Sequence, residues 1–249
     1  MTAREAAATR IFEGGHFLID TEVGFPLAIH QDLPKAPRSP FYLNLRPEGV
    51  KEGKMTQMDI DAVAMSMLEL GKEQGLFWTN RSVCDIPQAG TPFLDSIMIC
   101  YPGDPKRFFL QKQMIDEVRS FAIQGNLPEY ANQALLIDDL VASSLTKKLA
   151  IRAIQKAGGK VTDLLVFLNR SADAYQDLAK LEVTLHPVFE FDHLIEWALA
   201  NQHLNREQHE AIVEYPLQLE AYKKSVGYNW WSAGGNFCRP FLLPTALLI

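Results

Sequence analysis

The sequence predicts an α/β fold in which helices flank a central, mostly parallel sheet. Two observations support this prediction. From about residue 55 onward, short apolar runs alternate with helical patterns, which is typical of parallel sheets with right-handed crossovers. One of these runs ends in two adjacent acids just before a helical pattern, as at the ligand-binding edge of open α/β sheets. The 249 residues are enough to bury one full core.

Four segments have the apolar spacing or the start signals of helices. They are residues 55–74, residues 146–157, a helix capped by Asp192, and a helix that starts at Asn205 with Gln208 three positions later. Gly75 and Gly158 follow the first two segments, where glycine commonly ends a helix.

Five short apolar runs are predicted to be strands. They are residues 82–86, 108–110, 135–137, 164–168 and 183–188. Residues 95–100 fit more than one kind of element, and residues 114–124 fit either a helix or a mobile loop. The expected division is an N-terminal segment 1–54, a core 55–215 and an apolar C-terminal extension 216–249.

Residues 134–146, ALLIDDLVASSLT, carry the most specific chemical signal. The apolar run ends in Asp138 and Asp139, and Ser143, Ser144 and Thr146 lead into the next helix. The N–H groups at a helix start bind phosphate. Because neither acid has a Lys or Arg beside it in the sequence, the pair suits two neighbouring hydroxyls, such as a ribose diol, or a metal. The alternative is a buried strand followed by a solvated acidic turn.

Composition excludes several classes of function. The formal net charge of −6 and the pI near 5.5 argue against a nucleic-acid partner. The three cysteines are widely spaced, so they indicate neither a disulfide framework nor a zinc site. The N-terminal residues lack the apolar core of a signal peptide. Residues 239–249 are apolar but too short to span a bilayer. We therefore expect a cytoplasmic protein without a membrane partner.

Four blocks, in the same order, make the chain resemble the orotate phosphoribosyltransferase family. They are residues 38–46 (RSPFYLNLR), 83–92 (VCDIPQAGTP), 134–146 and 164–170 (LLVFLNR). The first is similar to the family's segment near the pyrimidine site. The second is similar to the loop that contacts the pyrophosphate of phosphoribosyl pyrophosphate (PRPP). The third is similar to the PRPP motif, and the fourth ends in Asn169-Arg170 where the family has Asp-Arg.

The resemblance implies a type I phosphoribosyltransferase fold with a small hood formed by the N-terminal segments. It implies a glycosyltransferase of pyrimidine biosynthesis that moves ribose 5-phosphate from PRPP to a pyrimidine-like base, converting orotate to orotidine 5′-monophosphate and releasing pyrophosphate. Mg²⁺ would be carried by PRPP without a direct protein ligand, and the chain would form a homodimer.

The resemblance also assigns roles to individual residues. The catalytic group is Lys112, Asp138 and Asp139. PRPP would be bound by the same two acids together with Ser143, Ser144, Thr146, Gln88 and Ala89. The base would be bound by Lys35, Tyr42 and Arg170.

The chain departs from the family pattern in the cations that face the pyrophosphate. Family members carry an Arg-Lys pair and a further Lys in a mobile loop. Here Lys112 matches the Lys of the pair, but Gln111 replaces its Arg and Ile115 occupies the second Lys position. This departure keeps a second hypothesis open, a lapsed transferase that binds PRPP or a nucleotide as a regulatory or interaction module. Lys106, Arg107 and Arg119 are the cations nearby in sequence.

Overall fold

The computed structural model describes residues 1–76, 81–101, 103–115 and 118–228. Its centre is a five-stranded parallel sheet with the order β4-β3-β7-β8-β9. Its strands are β3 (Ser82–Asp85), β4 (Lys106–Arg107), β7 (Ala134–Val141), β8 (Val161–Asn169) and β9 (Thr184–Glu190). The mostly parallel sheet predicted from the sequence is therefore confirmed.

Two smaller antiparallel pairs accompany this sheet. The first joins β1 (Phe17–Ile19) to β2 (Phe41–Leu43), and the second is the pair β5 (Phe109–Ile115) and β6 (Val118–Gln124). The described helices are α1 (Ala3–Glu13), α2 (Gln57–Glu73), α3 (Thr91–Cys100), α4 (Leu145–Lys156), α5 (Ala174–Ala179), α6 (Phe191–Ala200) and α7 (Arg206–Ser225).

Apolar side chains cover both faces of the five-stranded sheet. One cluster joins Leu135, Ile137 and Phe167 of the sheet to residues of α1, α2, α3, α6 and α7. The other joins Leu136 and Val166 to residues of α4, α5 and the β5–β6 pair. Since neighbouring residues of a strand face opposite sides, the near-continuous apolar runs of β7 and β8 are those of strands buried on both faces.

Capping boxes start three of the helices. Thr2 and Glu5 form one at α1, Thr56 and Asp59 form one at α2, and Asn205 and Gln208 form one at α7. The start signal predicted at Asn205 is confirmed. The prediction that Asp192 caps a helix is wrong: α6 follows β9 directly, its N-cap is Glu190, and Asp192 lies in its first turn. An acid in that position still interacts favourably with the helix dipole.

Both interpretations of residues 114–124 are wrong, because this segment contributes the end of β5 and all of β6. Leu110 of β5 and Phe121 of β6 are buried in the cluster that includes α4. This burial requires the rest of the fold, so a local pattern could not reveal it. Residues 95–100, which were ambiguous, belong to α3.

The expected division of the chain stays a prediction. Helix α7 continues across residues 215 and 216, where the C-terminal extension was placed. Residues 229–249, which make up most of that extension, lie outside the described residues. Within the described part of the chain, no helix combines the length and apolar character needed to cross a bilayer.

A network of charged side chains joins three strands at the amino-terminal edge of the sheet. Asp163 of β8 accepts hydrogen bonds from Arg81, from Thr162 and from His186 of β9, whose Nε2 lies 2.7 Å from Asp163 Oδ1. Burial alone would raise the pKa of Asp163, but these bonds and the charge of Arg81 lower it to about 2.

We expect Asp163→Asn to lower the free energy of unfolding at neutral pH by about 2 kcal/mol, because it removes charge-assisted hydrogen bonds from a mostly buried network. The stabilisation by Asp163 is complete above its unfolded pKa of about 3.9 and is lost as the pH falls toward the folded value of about 2. Urea unfolding at pH 7 and at a series of acid pH values measures both effects.

The matched control is Asp104→Asn, which removes an ion pair with Lys106 from a carboxylate that is 86% exposed. It should leave the unfolding midpoint unchanged within error. An Asp163 variant as stable as the parent at pH 7 would show that the network contributes nothing net.

Candidate active site

The carboxyl ends of β3, β7 and β8 meet at one edge of the sheet and bring most of the predicted site residues together. The N–H of Ile86 donates to the carbonyl oxygen of Ile137 at 2.9 Å, and the N–H of Arg170 donates to that of Val141 at 2.7 Å. The loop after β3, the acid pair of β7 and the residue after β8 are therefore neighbours. Ligands of open α/β sheets bind at this edge.

The loop after β3 approaches β7 closely because residue 90 is a glycine. A Cβ on Gly90 would lie 2.4 Å from the carbonyl oxygen of Ile137 and 3.1 Å from Cα of Asp138. Gln88 in the same loop has a φ of +74°, in the left-handed region. Any larger residue at position 90 would push the Gln88–Ala89 turn away from the acid pair.

Asp138 is buried and already paired. Its carboxylate is 2% exposed, its Oδ2 lies 2.7 Å from Nζ of Lys147, and its Oδ1 accepts the N–H of Asp139 at 3.0 Å. Lys147 lies in the first turn of α4 and its side chain is 8% exposed. The acids have no Lys or Arg beside them in the sequence, but in the fold one of them does. The turn into α4 brings Lys147 back to Asp138 on β7.

Asp139 is the more accessible acid of the pair. Its Oδ1 accepts the N–H of Leu140 at 2.6 Å. Burial, followed by the charge of Asp138, raises the pKa of Asp139 well above the ordinary value, while the charge of Lys147 opposes the shift. The site thus holds one carboxylate fixed by a lysine and a second that remains available to accept a hydrogen bond.

The loop from β7 to α4 has its hydroxyls in different settings. Ser143 is exposed, whereas Ser144 is buried and its Oγ donates to Asp177 of α5. Nζ of Lys148 lies 2.6 Å from Oδ2 of Asp177, and the hydrogen bonds from Lys148 and Ser144 lower the pKa of Asp177 to about 2. The Ser144 side chain is engaged, and Thr146 lies in the first turn of α4. The backbone N–H groups at this helix start, with the exposed Ser143, suit a phosphate.

Arg170 packs against two stacked aromatic rings, Phe41 and Phe191, rather than against an acid. Its guanidinium carbon lies 4.8 Å from the centre of the Phe41 ring and 5.4 Å from that of Phe191. Burial lowers the pKa of Arg170. In the described part of the chain no carboxylate forms an ion pair with Arg170, and the buried hydroxyl of Tyr215 lacks a hydrogen-bond partner there. A desolvated cation without a counter-ion is suited to an anionic ligand.

The cations that were considered as substitutes for the family's loop cations are engaged. Arg107 forms ion pairs with Asp95 and with Asp85, the latter at 2.9 Å. Lys106 lies 2.6 Å from Asp104. The Arg119 side chain lies outside the described side chains. Neither Lys106 nor Arg107 is therefore available to a ligand without loss of its pair.

Three predicted residues lie away from the acid pair. Lys112 is exposed on β5, in the separate antiparallel pair, where it stands opposite Phe121. Lys35 is exposed in the loop before β2. Tyr42 lies on β2, beside Phe41, with its ring 6.0 Å from that of Phe25. The contact of Phe41 with Arg170 connects β2 to the site.

Sequence reasoning missed Lys147, Phe41 and Phe191. The signal for Lys147 was present, because a residue in the first turn of the helix that follows the acids must lie near them. The two aromatic residues are distant from Arg170 in sequence, so no local pattern could have revealed them. Within the described residues, no group of three or more His, Cys, Asp or Glu lies close enough together to hold a metal ion.

The five-stranded parallel sheet, covered on both faces and carrying the acid pair and loop at its carboxyl edge, is a type I phosphoribosyltransferase fold. Solved structures support this class. UMP synthase of Leishmania donovani matches with a TM-score of 0.63 and 18% identity over 88% of this chain, which spans 43% of that longer protein. Orotate phosphoribosyltransferase of Aeropyrum pernix matches with a TM-score of 0.57 and 18% identity over 77% of this chain and 98% of that one.

The chain is also similar in sequence to orotate phosphoribosyltransferases. It is 25% identical to the enzyme of Saccharolobus solfataricus over 190 residues, which are 71% of this chain and 84% of that protein. No protein-family model matches the chain. The resemblance inferred from the four sequence blocks is therefore confirmed by a relative in sequence and by the fold.

Proposed function

We propose that this protein is a phosphoribosyltransferase of the orotate type, which transfers ribose 5-phosphate from PRPP to a pyrimidine-like base and releases pyrophosphate. The observation that carries the proposal is the unit of acid pair, loop and helix start at the carboxyl edge of β7. The loop at Gln88 and Ala89, held close by Gly90, lies beside it. The similarity to orotate phosphoribosyltransferases supports orotate as the base and orotidine 5′-monophosphate as the product.

In the proposed reaction the base nitrogen forms a bond to the anomeric carbon of the ribose, and the proton of that nitrogen is taken up by the released pyrophosphate. The bond from that carbon to pyrophosphate breaks, and pyrophosphate leaves with the bonding electrons, so the anomeric carbon is inverted. Asp139 accepts a hydrogen bond from the ribose hydroxyls and Asp138 supports it. The backbone N–H groups at the start of α4, from Ser144 to Thr146, hold the 5′-phosphate together with the hydroxyl of Ser143. Mg²⁺ enters as part of the PRPP substrate.

The base would lie toward Arg170, whose guanidinium lacks a carboxylate partner in the described part of the chain. Tyr42 and Lys35 would line the same side. Lys112 and the turn at Gln88 and Ala89 would face the pyrophosphate. Arg170 is suited to the carboxylate that distinguishes orotate from uracil, because a planar guanidinium forms paired hydrogen bonds with a carboxylate.

A second candidate function keeps the binding site but not the reaction. A lapsed transferase would bind PRPP or a nucleotide as a regulatory or interaction module. The ion pairs of Arg107 with Asp85 and Asp95 favour it, because they hold the less exposed of the two cations that could replace the ones absent at Gln111 and Ile115. Turnover separates the two candidates.

The homodimer and the cytoplasmic location expected from the sequence also belong to this proposal. A groove of about 840 Å³ runs between α2, α3 and the loop at Gln88, with Ile60 and Ile99 among its lining residues. Ile99 is 83% exposed and Met58 on α2 is 60% exposed. These exposed apolar side chains on α2 and α3 support an interface with a second copy, which is the commonest closed assembly.

We expect the protein to bind PRPP with Mg²⁺ and Asp139→Asn to weaken that binding by about tenfold or more, because the ribose hydroxyls lose a charged acceptor. The double variant Asp138→Asn, Asp139→Asn should bind at least as poorly. It should also melt earlier, since it leaves Lys147 buried without a partner. Calorimetry and thermal melts measure the two effects. A double variant that binds as tightly as the parent would make the acids structural.

We expect Arg170 to recognise the carboxylate of the base. The parent should prefer orotidine 5′-monophosphate over uridine 5′-monophosphate, which lacks only the carboxylate, by roughly tenfold to a hundredfold. Arg170→Met should abolish this preference and leave uridine 5′-monophosphate affinity unchanged. The result is the ratio of two affinities measured on the same variant, so a smaller fraction of folded protein does not change that ratio. A preserved preference in Arg170→Met would assign the carboxylate to another group.

We expect turnover of orotate and PRPP to be slow. Deleting one hydrogen-bond donor to a transition state lowers the rate of an enzyme by about 10²–10³, and we expect each absent loop cation to have a similar effect. Gln111→Arg should raise the rate, and adding Ile115→Lys should raise it further. Steady-state assays of the three proteins measure this. A parent rate in the ordinary range of about 1–10³ per second would remove the lapsed candidate. No gain in either variant would show that the missing cations are not the cause.

A further inference from the structure

Lys147 forms a buried ion pair at the acid pair, and its role is not explained by the sequence blocks. Its Nζ lies 2.7 Å from Oδ2 of Asp138, and the two side chains are 8% and 2% exposed. The backbone N–H of Asp139 occupies the other oxygen of Asp138. A lysine is seldom buried so deeply, and here its partner is one of the two acids at the ribose end of the site.

The alternation along β7 places Asp138 on the α4 side of the sheet. Ile137 lies in the apolar cluster on the α2 and α3 side, whereas Leu136 lies in the cluster on the α4 side. In register with β8, Asp138 stands beside Val166, which belongs to the α4-side cluster. Asp138 thus shares the face covered by α4, where Lys147 meets it.

We propose that Lys147 is a positioning residue of the ribose site, which holds the Asp138 carboxylate in place so that Asp139 is the acid that takes the ribose hydroxyls. The inference rests on the proposed function, since it assigns the two acids different tasks in PRPP binding. It replaces a symmetric pair of ribose-binding acids with one acceptor and one support.

The electrostatics of the trio agree with this assignment. Burial and the charge of Asp138 raise the pKa of Asp139, and the charge of Lys147 lowers it. Removing the Lys147 charge would therefore raise the pKa of Asp139 further. A protonated Asp139 is a poorer acceptor for a hydroxyl. Lys147 also cancels one negative charge at a site meant for a ligand that carries several phosphates.

Several other charged groups of the neighbouring elements pair with each other, whereas Arg170, after β8, has no carboxylate partner in the described part of the chain. Lys148 of α4 and Lys180 pair with Asp177 of α5, with Nζ to Oδ distances of 2.6 and 3.4 Å. Asp85, at the end of β3, pairs with Arg107. Among the ion pairs of the described residues, the one formed by Lys147 is the pair that involves these two acids.

The test compares Lys147→Met, which has a similar length but no charge, with Lys147→Arg, which keeps the charge. Lys160→Met is the control. It also removes a lysine from an ion pair, since Nζ of Lys160 lies 2.6 Å from Oε2 of Glu182, but this pair is remote from the site. Lys147→Gln serves as a second neutral variant if the methionine variant unfolds. NMR of the side-chain carboxyl groups follows the titration of Asp139 in the absence of ligand. The Asp139 signal is the one that disappears in Asp139→Asn. Calorimetry follows the affinity for PRPP with Mg²⁺ from about pH 5.5 to 9.

In the neutral variants we expect the Asp139 midpoint to rise by about one pH unit or more. We expect PRPP affinity at pH 7 to fall about tenfold and to recover as the pH increases above the new midpoint. Lys147→Arg and Lys160→Met should keep the parent's midpoint and affinity. A lysine that only tethers α4 would lower the melting temperature without moving the midpoint.

If the parent protein binds PRPP and the titration midpoint of Asp139 is unchanged in Lys147→Met, the inference is overturned and the proposed function still stands. A loss of affinity that does not recover at high pH would also overturn it. A parent that fails to bind PRPP at every pH would overturn the proposed function and, with it, the ribose role of Lys147.

Discussion

The buried ion pair between Lys147 and Asp138 connects the two elements on which the site depends. It joins the end of β7 to the first turn of α4, so it sets where the helix start lies relative to the acid pair. Removing one partner of such a pair strands the other charge inside the protein, at a cost of about 3–5 kcal/mol. The contact thus sets the position of the loop from β7 to α4, and the charge of Lys147 limits how far burial and Asp138 raise the pKa of Asp139.

The proposed site separates binding from chemistry. Ribose recognition would use groups on the central sheet and beside it: the acid pair on β7, the helix start and the loop that Gly90 lets approach β7. The groups that would stabilise the leaving pyrophosphate come instead from the β5–β6 pair, where Lys112 stands beside Gln111. Electrostatic stabilisation of a leaving group is usually the largest single contribution to catalysis. Binding can therefore persist in a chain whose turnover is low, which is why both candidate functions share one site.

The sequence predicted the parts of the fold that depend on local patterns. Periodicity indicated α2, α4 and the core strands, and the capping signal at Asn205 indicated the start of α7. It failed where distant residues decide the structure. The β5–β6 pair exists because Leu110 and Phe121 are buried against the α4 face. The ion pair of Asp138 and the ring contacts of Arg170 likewise join residues that are separate in sequence. Local spacing placed the acids correctly but could not show that one of them is already paired.

Hydrogen exchange measured by mass spectrometry, with and without PRPP and Mg²⁺, tests the central claim most directly. The claim is that the loop from β7 to α4 holds the ribose phosphate, next to the loop at Gln88. Amide exchange should slow in peptides that cover residues 140–148 and 86–91, because their N–H groups are bound by the ligand. Exchange that stays unchanged in both loops at a PRPP concentration that saturates the protein would contradict the claim.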